Sequence, residues 1–177
     1  MAGVVPLAWG CTPDDLRRAY PADAMVAGPV LRMTRAVAVD AAPATVWRWV
    51  CQIAVAPYSY DWIDNRGRRS PRHLVDGADH VEVGQRVQVF RVTDVEPGHQ
   101  WSGLTIPRVF GRTAVTYAVE PSDGGSRLVC RIATSQRGPV AWAWSRLLAW
   151  GDLVMMRKQL LTFKELAERD ERAGGPR

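Results

Sequence analysis

The chain has 177 residues, which suits one domain built around one core. Its net charge is +5, from 23 Lys+Arg against 18 Asp+Glu, and the cations are dispersed. The densest cluster, Arg66, Arg68, Arg69 and Arg72, lacks the interleaved aromatics of a nucleic-acid binder and reads as a solvated loop.

Three cysteines, Cys11, Cys51 and Cys130, stand at wide spacings without a CxxC pair. That pattern predicts packed thiols in a reducing, cytoplasmic setting rather than a disulfide framework. The N-terminus has no basic region and turns acidic at Asp14-Asp15, so no secretory signal is expected. No apolar run approaches the roughly 20 residues of a membrane span.

Residues 1–31 read as an arm, with a short helix opening at Thr12-Pro13-Asp14-Asp15 and ending before Pro21. Residues 32–172 read as the domain proper and 173–177 as a frayed tail. Leu31 to Val39 alternates, with Met33, Val37 and Val39 on one face of a first strand. Pro43 opens a helix that buries Val46, Trp49, Val50 and Ile53. Residues 54–79 are irregular and rich in turn formers.

Val81 to Val92 is read as a strand with Val83, Val87 and Val89 on one face and a bulge at Gly84. Two more strands flank the Pro97-Gly98 turn. A hairpin follows from Thr113 to Ser135, turning through Pro121-Ser-Asp-Gly-Gly125. Pairing Val119 with Leu128, Tyr117 with Cys130 and Val115 with Ile132 puts every apolar residue on one side. Arg131 then points the other way, into solvent.

Residues 139–151 are apolar and Trp-rich, and Gly151-Asp152 is expected to break or kink the chain. A helix from Asp152 to about Arg169 then buries Leu153, Met156, Leu160, Phe163 and Ala167. Indole N–H groups are demanding to satisfy in a core, so at least one of Trp142 and Trp144 is expected to be partly exposed.

A strand, a helix, antiparallel strands and a long last helix, in that order, resemble the START/Bet v 1-like superfamily, also called SRPBCC or polyketide cyclase/dehydrase-like. Val37-Ala-Val-Asp-Ala-Ala-Pro-Ala-Thr-Val-Trp47 is similar to its opening strand and helix. Trp9-Gly-Cys-Thr, Gln52, Tyr58-Ser-Tyr-Asp-Trp-Ile-Asp-Asn65 and Arg69-Ser70 resemble a bacterial subgroup. The resemblance implies an α+β helix-grip fold: a curved antiparallel sheet of six or seven strands wrapped around the C-terminal helix, with an internal cavity between them. Members range from lipid carriers and hormone receptors to aromatic polyketide cyclases, so fold alone leaves function open.

The expected function is binding, or carriage, of a hydrophobic or aromatic small molecule in that cavity. The alternatives are a cofactor-independent cyclase or dehydratase and a membrane-surface or partner-binding module. Tyr58, Tyr60 and Asp61 are the candidate catalytic groups, able to move protons beside an apolar pocket. The competing reading makes Asp61 and Asp64 caps of short helices. Trp62, Phe90, Trp101, Arg112, Tyr117, Met156, Leu160 and Phe163 are the candidate ligand contacts. No GxGxxG, GxxxxGK or GxSxG motif occurs, and the histidines His73, His80 and His99 have no ligand spacing. Neither metal nor cofactor is expected. Trp142, Trp144 and Trp150 offer a surface for a second copy or a membrane.

Overall fold

The computed structural model describes residues 5–106 and 111–174. Strand β1 (Ala8–Trp9) is followed by two short helices, α1 (Pro13–Arg17) and α2 (Pro21–Met25). Strand β2 (Val30–Val39) leads into helix α3 (Pro43–Cys51), a 3-10 turn over Gln52–Ala54, and a single helical turn, α4 (Asp61–Asp64). Strands β3 (Arg86–Val87), β4 (Phe90–Glu96), β5 (Gln100–Thr105), β6 (Thr113–Ser122) and β7 (Gly125–Ser135) precede the last helix, α5 (Pro139–Arg172).

One seven-stranded sheet runs β1-β2-β7-β6-β5-β4-β3. The architecture is α+β, with the long C-terminal helix packed across the sheet's inner face. The sheet is mixed rather than wholly antiparallel: β1 pairs parallel with β2, Ala8 opposite Thr34 and Trp9 opposite Arg35. That pairing depends on Gly10. It has φ +68°, and a Cβ there would lie 2.1 Å from the Ala36 carbonyl oxygen.

The central hairpin has the register that alternation predicts: Val119 opposite Leu128, Tyr117 opposite Cys130, Val115 opposite Ile132. Pro121 and Ser122 still belong to the ladder, so the turn is the two residues Asp123-Gly124.

Three expectations are corrected. Val81 to Val92 is not one strand. Gln88 is left-handed (φ 53°), the chain turns at Gln88-Val89, and Val83 is exposed; the bulge sits between Val92 and Asp94. Gly151-Asp152 does not break the last helix, and α5 is continuous for 34 residues, about 51 Å. It starts at Gly138, whose φ of 83° lets Pro139 open the first turn.

Arg131, finally, is buried. Residues 13–25 cover the outer face of the sheet, and the Arg131 guanidinium donates to the carbonyls of Asp15, Leu16 and Arg18 at 3.1–3.3 Å. It lies 4.9 Å above the Tyr20 ring. A cation thus satisfies the open carbonyl end of α1. The expected tail lies partly outside the described residues, at positions 175–177.

The core lies between the sheet and helices α3 and α5, and includes Trp49, Trp101, Tyr117, Leu128, Leu160, Phe163 and Leu166. Gln52, fully buried, donates to the Ala78 carbonyl at 2.9 Å and accepts from the Val75 amide at 3.1 Å. It ties the irregular segment to α3.

Candidate functional site

Strand alternation sets a row of side chains across the inner face. Trp9, Arg35, Cys130, Tyr117 and Trp101 sit opposite one another on successive strands. Arg35 is therefore an arginine at a core-facing position, and it is fully buried. A buried guanidinium needs partners. Its Nη1 donates to the Leu7 and Thr34 carbonyls at 2.9 and 3.1 Å. Its Nη2 donates to Oδ2 of Asp152 at 3.0 Å and reaches the Ala149 carbonyl at 3.4 Å. Its Nε has no partner among the described residues.

Asp152 stands in the middle of α5, where the helix crosses β2. Burial pushes its carboxyl up to about 6, and the Arg35 charge and hydrogen bond pull the other way without cancelling it. Its second oxygen, Oδ1, accepts no hydrogen bond among the described residues. The side chain keeps 21% exposure, and it borders a pocket.

That pocket, about 370 Å³, opens between α5 and the β2, β6 and β7 strands. Met33, Val89, Phe90, Ile132, Leu148 and Met155 make its apolar wall, with Gly151 and Asp152 from the helix. Thr105, Thr113 and Thr134 complete it. Their hydroxyls are engaged locally: Thr113 and Thr134 share a hydrogen bond of 2.7 Å, and Thr105 donates to the Gly111 carbonyl at 2.9 Å. Among the described residues, the side-chain oxygen of the wall that accepts no hydrogen bond is thus Oδ1 of Asp152, whose Oδ2 is held by Arg35.

A second pocket of about 180 Å³ shares Val89, Phe90 and Met155 with the first. Tyr117, Met156 and Gln159 line it. The Tyr117 hydroxyl donates to Gln159 Oε1 at 2.6 Å, and Gln159 Nε2 donates to the Pro57 carbonyl at 2.5 Å. Burial holds the Tyr117 phenol far above its ordinary range, so it stays neutral.

Of the expected ligand contacts, Phe90, Tyr117 and Met156 line these pockets. Trp101, Leu160 and Phe163 are fully buried core, with Trp101 stacked on Tyr117 at 5.0 Å. Trp62 is 75% exposed. Arg112 does not enter a cavity mouth; it is exposed on the outer side and its Nε reaches the Met25 carbonyl at 3.4 Å.

Tyr58, Tyr60 and Asp61 are not brought to the apolar pockets as a group. The Tyr58 ring packs against Trp49 and Phe163 at 6.0 and 5.3 Å. Burial, and then the nearby Asp61, raises its phenol to about 12. Asp61 accepts from the Ser70 amide and hydroxyl at 2.8 and 2.5 Å, so it ties a loop and caps no helix. Tyr60 lines a surface groove with Trp9, Arg157 and Lys158. Cys51 and Cys130 are buried thiols raised by burial, Cys51 to about 12, and suit packing rather than nucleophilic attack. Among the described residues no group of three or more His, Cys, Asp or Glu is placed to hold a metal ion.

Arg35 and Asp152 were the residues that sequence reasoning missed. The signal for Arg35 was present: it shares the inward parity of Met33, Val37 and Val39. Asp152 carried only its adjacency to Gly151.

No protein-family model and no curated protein matches the sequence. Solved structures do. One is a protein from Mesorhizobium loti, 17% identical, covering 78% of this chain and 97% of that one with a TM-score of 0.53. Another is the Zhui aromatase/cyclase from Streptomyces sp. R1128, 16% identical, covering 84% of this chain and 100% of that one with a TM-score of 0.51. A third is the di-domain ARO/CYC StfQ of the steffimycin biosynthetic pathway, 13% identical, with a TM-score of 0.52. The match covers 82% of this chain and 52% of StfQ, about half of that protein. At such identities the likeness is one of fold, and with the grip of the sheet on α5 it gives this chain an α+β helix-grip fold.

Proposed function

We propose that the protein binds a hydrophobic or aromatic small molecule in the pocket between the sheet and α5. The observation that carries this reading is the 370 Å³ pocket with one carboxylate, Asp152, in an apolar wall. Its volume lies in the ~300–1,000 Å³ range of small-molecule sites, and a few placed polar groups in apolar surroundings are their usual chemistry. Oδ1 of Asp152 suits a hydrogen-bond donor on the ligand, such as a phenolic or enolic hydroxyl. The three free thiols fit a reducing, cytoplasmic compartment.

Native mass spectrometry of the purified protein tests the reading. Leu148 lines the pocket from the helix. Leu148→Trp therefore narrows the pocket from its helix wall. A co-purifying mass of small-molecule size is expected in the wild type and absent in Leu148→Trp. A ligand retained equally by both would move the site elsewhere.

A second reading, a cofactor-independent cyclase or dehydratase, is favoured by Asp152 itself. A carboxyl titrating near 6 beside an apolar pocket exchanges protons near neutral pH, which general acid–base catalysis requires. Zhui and StfQ are named as aromatase/cyclases, in keeping with such a role. Under this reading Asp152→Asn abolishes turnover of an aromatic polyketide-like substrate while leaving its binding within a few-fold. Unchanged turnover would reject it.

A further inference from the structure

Helix α5 has a second apolar face, turned away from the sheet. Val140, Leu147, Val154 and Leu161 recur every seven residues, and Trp144 and Trp150 lie between them. All six are exposed, from 38% at Leu161 to 81% at Val140. Contiguous apolar surface of this kind on a folded domain marks a contact site.

Along the helix from Pro139 to Lys164 the exposed charges are of one sign, and the first exposed acid beyond them, Glu165, pairs with Arg72. Arg146, Arg157 and Lys158 are exposed on the same helix. Between Pro139 and Lys164 the sole acid is Asp152, and that carboxylate is turned inward and paired with Arg35. Beside the face lies a groove of about 460 Å³ where Trp9 and Tyr60 meet Leu153, Val154 and Leu161, with Arg157 and Lys158 on its wall. Arg157 lies 5.5 Å above the Trp9 ring.

From these features we infer that the outer face of α5, over residues 140–161, docks onto an anionic lipid bilayer surface. The helix lies in the plane of the interface and does not cross it. No helix of the described chain is long and apolar enough to span a membrane. Tryptophans settle at the headgroup level, apolar side chains reach the acyl boundary, and basic side chains meet lipid phosphates and carboxylates. A second copy docked face to face over residues 140–161 fits less well, because it sets the same cations against one another.

The test is co-sedimentation of the full chain with vesicles of phosphatidylcholine alone or with 30% phosphatidylglycerol. The protein is expected to partition onto the anionic vesicles and to be released at high salt. Trp144→Ala/Trp150→Ala should weaken the partition at least tenfold. Arg146→Gln/Arg157→Gln should weaken it about 25-fold, from about fivefold for each cation near a charged surface. All four side chains are exposed, and unchanged circular dichroism and Tm in the variants confirm the fold. Failure to bind anionic vesicles, or equal binding to neutral ones, overturns the inference. So does sedimentation velocity showing a dimer that the double Trp variant dissolves, since a second copy would then cover the face.

Discussion

The two halves of α5 do different work. The C-terminal half is core: Gln159, Leu160, Thr162, Phe163, Leu166 and Ala167 are buried against the sheet and α3. It is also tied at its end. The Trp49 indole donates to Asp170 at 2.9 Å, Thr45 donates to Glu171 at 2.6 Å, and Lys164 donates to the Ala38 carbonyl at 2.7 Å. In the N-terminal half, up to Met155, only Ser145 and Ala149 are buried. There the helix bridges the sheet instead of filling it, and the pocket is the space left. One ion pair, Arg35–Asp152, sits near the boundary. A helix packed along its whole length would be a stronger core and would have no site.

That contrast can be broken most forcefully at Phe163. It has no exposure, and Tyr58 packs against it at 5.3 Å. Phe163→Ala should cost about 3–5 kcal/mol in urea unfolding. A loss below about 1 kcal/mol would mean that the two halves are equally loose.

The boundary itself is probed by Arg35→Met. This change leaves Asp152 without its partner and should cost about 3 kcal/mol at pH 7.5. The deficit should shrink by pH 5, where the unpaired acid is protonated. The double variant Arg35→Met/Asp152→Leu should recover most of the loss. A single variant as destabilised at pH 5 as at pH 7.5 would trace the cost to lost packing instead.

Asp152→Asn sharpens the point through pH alone. The carboxyl ionises near 6 in the folded protein and near 4 when unfolded. Between those values the native state holds the extra proton. The group's contribution is therefore fully present below about pH 4 and lost as pH rises through 6. Thermal scans of the wild type against Asp152→Asn should show the wild type losing up to about 3 kcal/mol relative to the variant across that window. A pH-independent difference would place the Asp152 pKa near its ordinary value.

The smallest effect is expected at Gly151. Its Cβ position is open and its backbone is helical, so Gly151→Ala should raise stability by about 0.5–1 kcal/mol. A decrease would show that the pocket wall relies on the missing side chain.

Much of the frame was legible in the residues. Period-two alternation in Val115, Tyr117 and Val119 against Leu128, Cys130 and Ile132 settles the central register, because a one-residue slip would turn every apolar side chain to the wrong face. Pro43 marks the start of α3 because its ring favours the first helical turn and its missing N–H costs nothing there. The exposure of Trp142 and Trp144, at 53% and 42%, follows from the same local reasoning about indole groups. The site was less legible. A run with two phenols and two acids, 58–65, drew attention, yet Asp61 and Asp64 are spent on Ser70 and Ser59 within their own loop.

What the sequence determined by itself is what short-range periodicity encodes: strands by parity, helices by their start signals, and the side of each element that must leave water. Arg35 and Asp152 are 117 positions apart, and no local pattern joins them. Arg131 has the parity of a solvated residue and becomes buried only because residues 13–25 fold over it. Only the tertiary structure decided these pairings. A buried charge is tolerated where distant segments supply its partners, and the docking of α5 on β2 and of the arm on the sheet brings those partners in.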